Sequence, residues 1–223
     1  MTTPLAKAIM TIVRKDLRAE LRSRELVNAM LLFSLLSILV FSFALDLTGD
    51  SIREEVISGV LWVTMVYASI LGLNRSMATE KEQGCLDAMM ISPISRVAIF
   101  IGKFIGNFLF TLIIGLLLLP LMTVLYNVLL AQVEMALLLV LGTFGLTSIG
   151  TLLAAMSVQT RARETMLPIA MMPMALPILM TVIDASNDIL NETSSGNWIS
   201  VLILIDLVYF LMGSLLFEFV IED

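Results

Sequence analysis

Of the 223 residues, 59% are hydrophobic and 14% charged, with a formal net charge of −6 and a mean hydropathy of +1.00. Soluble domains run nearer about 45–50% apolar and about 25% charged, so this composition reads as an integral membrane protein. A single cysteine excludes an internal disulfide, and the lack of any histidine excludes imidazole metal sites, zinc-protease motifs and Ser-His-Asp triads.

The chain opens on a charged, amphipathic stretch, residues 5–25, that does not read as a signal peptide. Leu5, Ile9, Ile12, Val13, Leu17 and Leu21 recur at helical spacing, with Lys7, Arg14, Arg18 and Arg22 on the other side. The expectation is a helix lying in the membrane interface, apolar face down, its basic side toward anionic lipid headgroups. It reads either as a generic entry segment or as an elbow helix before a permease core.

A span needs about 20 mostly apolar residues. Six runs qualify: Leu26–Leu45, Val56–Asn74, Val97–Tyr126, Glu134–Ser157, Met166–Asp184 and Trp198–Phe217. Each is expected to be a helix, because a lipid-exposed backbone cannot leave its polar groups unpaired. The predicted fold is therefore all-α, one transmembrane domain of six helices over residues 1–223. The third run is long and holds Pro120, which predicts a kink or a re-entrant end. Pro168, Pro173 and Pro177 make the fifth a kinked packing element or a hinge.

Twelve of the thirteen Lys and Arg residues fall at the N-terminal stretch, around the loop between the second and third runs (Lys103 just inside the third), or between the fourth and fifth; Arg53 is the exception. The positive-inside rule then places both termini in the cytoplasm. No basic stripe lies apart from these segments, so no nucleic-acid partner is expected. No GxxxxGK[ST] loop is present, so the chain does not bind ATP through a P-loop. Asp184 and Asp206 lack the sequence settings of intramembrane aspartyl proteases, and catalysis is not expected.

Between the second and third spans lies "ATEKEQGCLDAMMISPISR", Ala78 to Arg96. Its pattern predicts a short helix over 79–92 with Leu86, Met89 and Met90 on one face and Glu80, Glu82 and Asp87 outward. Gly84 supplies a tight point, and Pro93 ends the helix. From the residues alone, this is either a docking helix for a soluble partner or an ordinary amphipathic loop.

Inside the spans, Gly102/Gly106 and the Gly142, Gly145, Gly150, Ala154 series predict close helix packing. Lys103 sits near a membrane boundary and is expected to snorkel outward. Asp206, mid-span, is expected to face the bundle and bond a polar group such as Asn107 or Thr147, or else to face a partner subunit. Arg161, Arg163 and Glu164 form a tight inner loop, suited to a second partner contact or to headgroup anchoring. The sixteen methionines read as packing residues.

Arg75-Ser76, the Glu80/Glu82 pair, Gly84, Leu86-Asp87, Ser92-Pro93, Arg96, Ile99-Phe100 and Gly102-Lys103 together form a recognisable string. A second block, "LGTFGLTSIGTLLAAMSVQTRARETMLPIAMMPMALPILM" from Leu141 to Met180, agrees with it. This chain resembles the haem exporter protein B family, the ABC-2-like permease subunits of the cytochrome c maturation system. The resemblance covers nearly the whole chain, though Asp206 is not part of that pattern.

It implies a bacterial inner-membrane permease with no cofactor of its own. ATP would be bound by a separate ATPase subunit, a dimer, docking on Glu80, Glu82, Gly84, Leu86, Asp87, Met89, Met90, Pro93 and Arg96. Haem would be handled by the complex, with a haem-handling permease, a small single-span subunit and a periplasmic haem chaperone as further partners. ATP hydrolysis would drive haem delivery or release of the loaded chaperone. An ABC-2 permease for another cargo, such as a glycan or a drug, and a membrane assembly factor without an ATPase are the alternatives.

Overall fold

In the computed structural model, which describes residues 4–45, 53–160, 163–191 and 197–222, the chain folds into helices α1 (Leu5–Ser23), α2 (Glu25–Ala44), α3 (Arg53–Glu82), α4 (Cys85–Ile91), α5 (Arg96–Tyr126), α6 (Val133–Val158), α7 (Arg163–Leu190) and α8 (Trp198–Glu222). No strand occurs among the described residues. Among the described residues, six helices are long and apolar enough to cross a membrane: α2, α5 to α8, and α3 from Val56 onward. The chain is thus a multi-pass, all-α membrane protein.

Helix α6 is the hub, packing against α3, α5, α7 and α8. Its small residues let each neighbour approach closely. Gly142 faces the Trp62 ring of α3 and Val182 of α7, Gly145 faces Asp206 of α8 and Ile178 of α7, and Gly150 faces Leu73 and Met171. The threonines of α6 carry their own solution to burial. Thr143, Thr147 and Thr151 donate to Leu139 O, Thr143 O and Thr147 O, each at 2.7 Å, so none of these three hydroxyls is stranded at membrane depth, whereas Ser148 Oγ of the same helix is buried with no hydrogen-bond partner among the described residues.

Aromatic rings lock α5 to α6 and α8. Phe104 meets Phe144 edge-on at 4.9 Å and Phe210 at 5.3 Å, and Phe100 meets Phe217 at 5.3 Å. The last contact sets the start of α5 beside the end of α8. Gln159 Nε2 donates to Val220 O at 2.9 Å, which brings the end of α6 to the same place. At the hub, Trp62 Nε1 donates to Ser186 Oγ at 2.9 Å, joining α3 to α7.

Several boundaries differ from the sequence reading. Helix α5 runs unbroken through Pro120, so the third span does not re-enter. Near its far end, Thr123 Oγ1 donates to Leu119 O and accepts from Leu130 N and Ala131 N, tying down the turn that follows. Helix α7 holds Pro168, Pro173 and Pro177 and continues past Asp184 to Leu190. Residues 79–92 are not one helix. Thr79 to Glu82 belong to the last turn of α3, Gly84 breaks the chain at φ +65°, and α4 starts at Cys85. A left-handed residue costs glycine nothing, which accounts for Gly84 at this corner.

Helix α1 is sharply separated from α2. Arg24 is left-handed at φ 55°, its N–H bonded to Glu20 O, while Glu20 Oε1 accepts from Val27 N at 2.8 Å. One residue thus closes α1 and caps α2. The middle of the apolar stripe of α1 is covered by protein: Ala8, Ile12 and Val13 are buried and α1 packs on α5, while Leu5 and Leu21 at the two ends stay exposed. The Gly102/Gly106 pair forms its seat, with Ile12 over Gly102 and Asp16 beside Gly106.

Candidate coupling site

Three helices converge where α3 turns into α4, and their charged side chains meet, Lys103, Glu80 and Asp16 largely covered and Lys15 open to solvent on one side. Lys103 of α5 donates to Asp16 Oδ2 of α1 at 2.8 Å and approaches Glu80 Oε1 of α3 at 2.5 Å. Lys15 of α1 also pairs with Glu80 Oε1 and lies 3.2 Å from Asp16 Oδ1. The Lys103 side chain is 1% exposed, so it does not snorkel as expected. The reason is local: two carboxylates meet it inside the bundle, and reaching water would sacrifice both pairs.

With two cations and two carboxylates, the network is formally neutral. That balance is what makes its burial tolerable, since removing one partner of a buried pair typically costs about 3–5 kcal/mol. Burial alone would lower the pKa of Lys15, but attraction and hydrogen bonding from Glu80, then Asp16, outweigh it and hold the ammonium above its ordinary value. Glu80 Oε2 is buried without a hydrogen-bond partner among the described residues, so one oxygen receives both lysines and the other receives none of them.

Glu80 therefore departs from its expected place on the outward rim of a docking helix: it is 7% exposed and engaged within the chain. Glu82 and Gly84 are exposed, as is Pro93, while Arg96 is half-buried at the start of α5. Met89, expected to point at a partner, leans against the chain's own apolar core. The side chains of Leu86, Asp87 and Met90 lie outside the described residues, as do those of Arg163 and Glu164 and the whole of Arg161.

Sequence reasoning passed over Ile91. It ends α4 and is 88% exposed, with Ala88, one turn earlier, also exposed. A bare isoleucine beside the charged α3–α4 corner has the character of an anchor for a partner groove. Its position just before Ser92-Pro93 was the available signal. Ser92 is extended, at ψ 152°, and Ser95 Oγ accepts from Ala98 N to start α5, so α4 is clamped between two fixed corners.

The second expected polar site, in mid-span, faces the bundle as read but without the expected partners. Asp206 is 5% exposed, and neither carboxylate oxygen has a hydrogen-bond partner among the described residues. Asn107 Nδ2 is likewise unpaired, and the Thr147 hydroxyl is committed to Thr143 O, so neither expected partner serves Asp206. What admits the carboxylate is the missing side chain at Gly145, against which Asp206 Oδ1 packs.

Over residues 7–221 the chain matches the family described as CcmB protein. It is similar to heme exporter protein B of Rhodobacter capsulatus, 29% identical over 170 residues, which is 76% of this chain and 78% of that one. Heme exporter protein B of Bradyrhizobium diazoefficiens is 24% identical over 210 residues, covering 92% of this chain and 93% of the other. The Pseudomonas aeruginosa protein of the same name is 26% identical over 161 residues, 71% of each chain.

Proposed function

Because the chain belongs to the CcmB protein family, we propose that it is the membrane subunit of an ATP-driven complex for cytochrome c biogenesis. Hydrolysis by a separate ATPase dimer would be coupled through this chain to haem delivery, or to release of a haem-loaded periplasmic chaperone. A haem-handling permease and a small single-span subunit complete the proposed complex. Its setting is the bacterial inner membrane, with both termini and α4 facing the cytoplasm. Placement of Lys and Arg favours that orientation.

The observation that carries this reading is α4 itself. A seven-residue helix joins two spanning helices, and its terminal Ile91 is left 88% exposed. In this reading Ile91 enters the ATPase groove, with Ala88 flanking it, Glu82 at the rim and Leu86, Asp87 and Met90 completing the segment. Arg161, Arg163 and Glu164 offer a second contact. An apolar anchor carries more binding energy than rim charges, so Ile91→Asp should cost about 2 kcal/mol or more of docking energy, roughly 30-fold in affinity, and Glu82→Ala far less.

The test is to purify each variant with the ATPase and to measure co-elution and cytochrome c maturation in cells. Ile91 touches little within the chain, so the variant should reach the membrane at its usual level. Lost co-elution and lost maturation for Ile91→Asp are the expected outcome. Normal values of both would overturn the docking assignment.

A further inference from the structure

We propose that Glu80 and Lys103 are positioning residues that transmit movement of α4 to α1 and α5, a role resting on the reading of α4 as the ATPase contact. Glu80 occupies the last turn of α3, ahead of the Gly84 corner from which α4 starts. A displacement of α4 thus reaches Glu80 across the Gly84 corner and the last residues of α3. From there two directions open. Lys103 leads into α5, and Lys15, together with Lys103 through Asp16, leads into α1.

An apolar contact lets helices slide, because dispersion has no preferred partner. An ion network does not, since each lysine is held by named oxygens at short range, and around Lys103, which is 1% exposed, the medium screens weakly. The network also has room for a second discrete arrangement. Oε1 of Glu80 now receives both lysines while Oε2 is buried and unpaired. A turn of that carboxylate would hand each lysine its own oxygen, shifting α3 against α1 and α5 without exposing any charge. A two-state element biased from one side is the physical basis of coupling between sites.

A purely structural role makes a different prediction, and the double variant Glu80→Gln/Lys103→Met separates the two. Replacing both members of a buried pair leaves no lone charge behind, so folding should be retained. Lys15 and Asp16 remain to neutralise each other. The full-length chain, co-purified with its ATPase, should show the wild-type melting temperature and wild-type co-elution. ATP turnover by the complex and cytochrome c maturation should both fall by about fivefold or more.

If turnover and maturation in the double variant match wild type while the ATPase stays bound, the coupling role is wrong and the docking reading stands. If the wild-type chain itself fails to retain the ATPase, the docking reading falls and takes this inference with it. Should the double variant not fold, Glu80→Gln alone decides. It keeps the shape and an acceptor but not the charge, and unchanged turnover in that variant overturns the proposal.

Discussion

Ile12 of α1 rests directly on Gly102 of α5: a Cβ at position 102 would come within 2.8 Å of Ile12 Cγ2 and 2.9 Å of its Cβ. Branched and held at its own Cβ, Ile12 has little freedom to yield. Gly102→Val should therefore lift α1 from its seat, at an overpacking cost of about 1–3 kcal/mol. Thermal unfolding of the purified protein checks the cost. Ile12→Ala in the same background should recover part of the loss, since it removes the atoms in collision.

Gly145 and Asp206 make a second pair of this kind, but with a carboxylate as the obstacle. Gly145→Ala would set a methyl group onto Asp206 Oδ1 and within 2.8 Å of Ile178 Cδ1. Asp206→Ala removes a buried group that has no hydrogen-bond partner among the described residues, so it should be neutral or stabilising. The two changes share one contact and should not add; a coupling of about 0.5–3 kcal/mol is expected in a double-mutant cycle on melting. Strict additivity would show that Asp206 does not rest on Gly145.

Cys85 is the one thiol in the chain and stands half-buried at the first residue of α4. In the proposed orientation it faces the cytoplasm. A membrane-impermeant maleimide should therefore leave it unlabelled in intact cells and label it in inverted vesicles. Labelling from outside intact cells would reverse the assigned topology.

The spanning helices were legible because hydropathy and helix length report the same constraint. The fourth run, Glu134–Ser157, falls one residue short of α6 at each end. Helix α3 was cut at Asn74 because its apolar signal stops there, while backbone hydrogen bonding continues through Arg75 to Glu82. A polar helical turn beyond the lipid has no hydropathy signature.

The candidate site was half legible. The segment and its Gly84 corner follow from local sequence, but the face it presents does not. Leu86, Met89 and Met90 suggested one apolar face, yet Met89 turns to the core and Ile91 is left bare. Which side of so short a helix faces out is decided by the corners at Gly84 and Ser92, not by its own periodicity. Lys103 was read as a boundary lysine because nothing near it in sequence is acidic. Its partners Asp16 and Glu80 come from two other helices.

The separation of Asp16 from Lys103, 87 positions along the chain, has a bearing on how the protein is made. A ribosome adding about 5–20 residues per second takes roughly 4–17 s to travel from one to the other. Through that interval α1 has been synthesised but its seat on α5 has not. Its apolar stripe must be sheltered by something else, and the acyl chains just beneath the lipid headgroups are the nearest shelter. Seating then happens only once the third span has entered the membrane with its Lys103 end on the side where α1 waits. A span threaded the wrong way would leave Asp16 without its lysine and α1 without a seat, a fault that quality-control proteases could detect before the last three spans are complete.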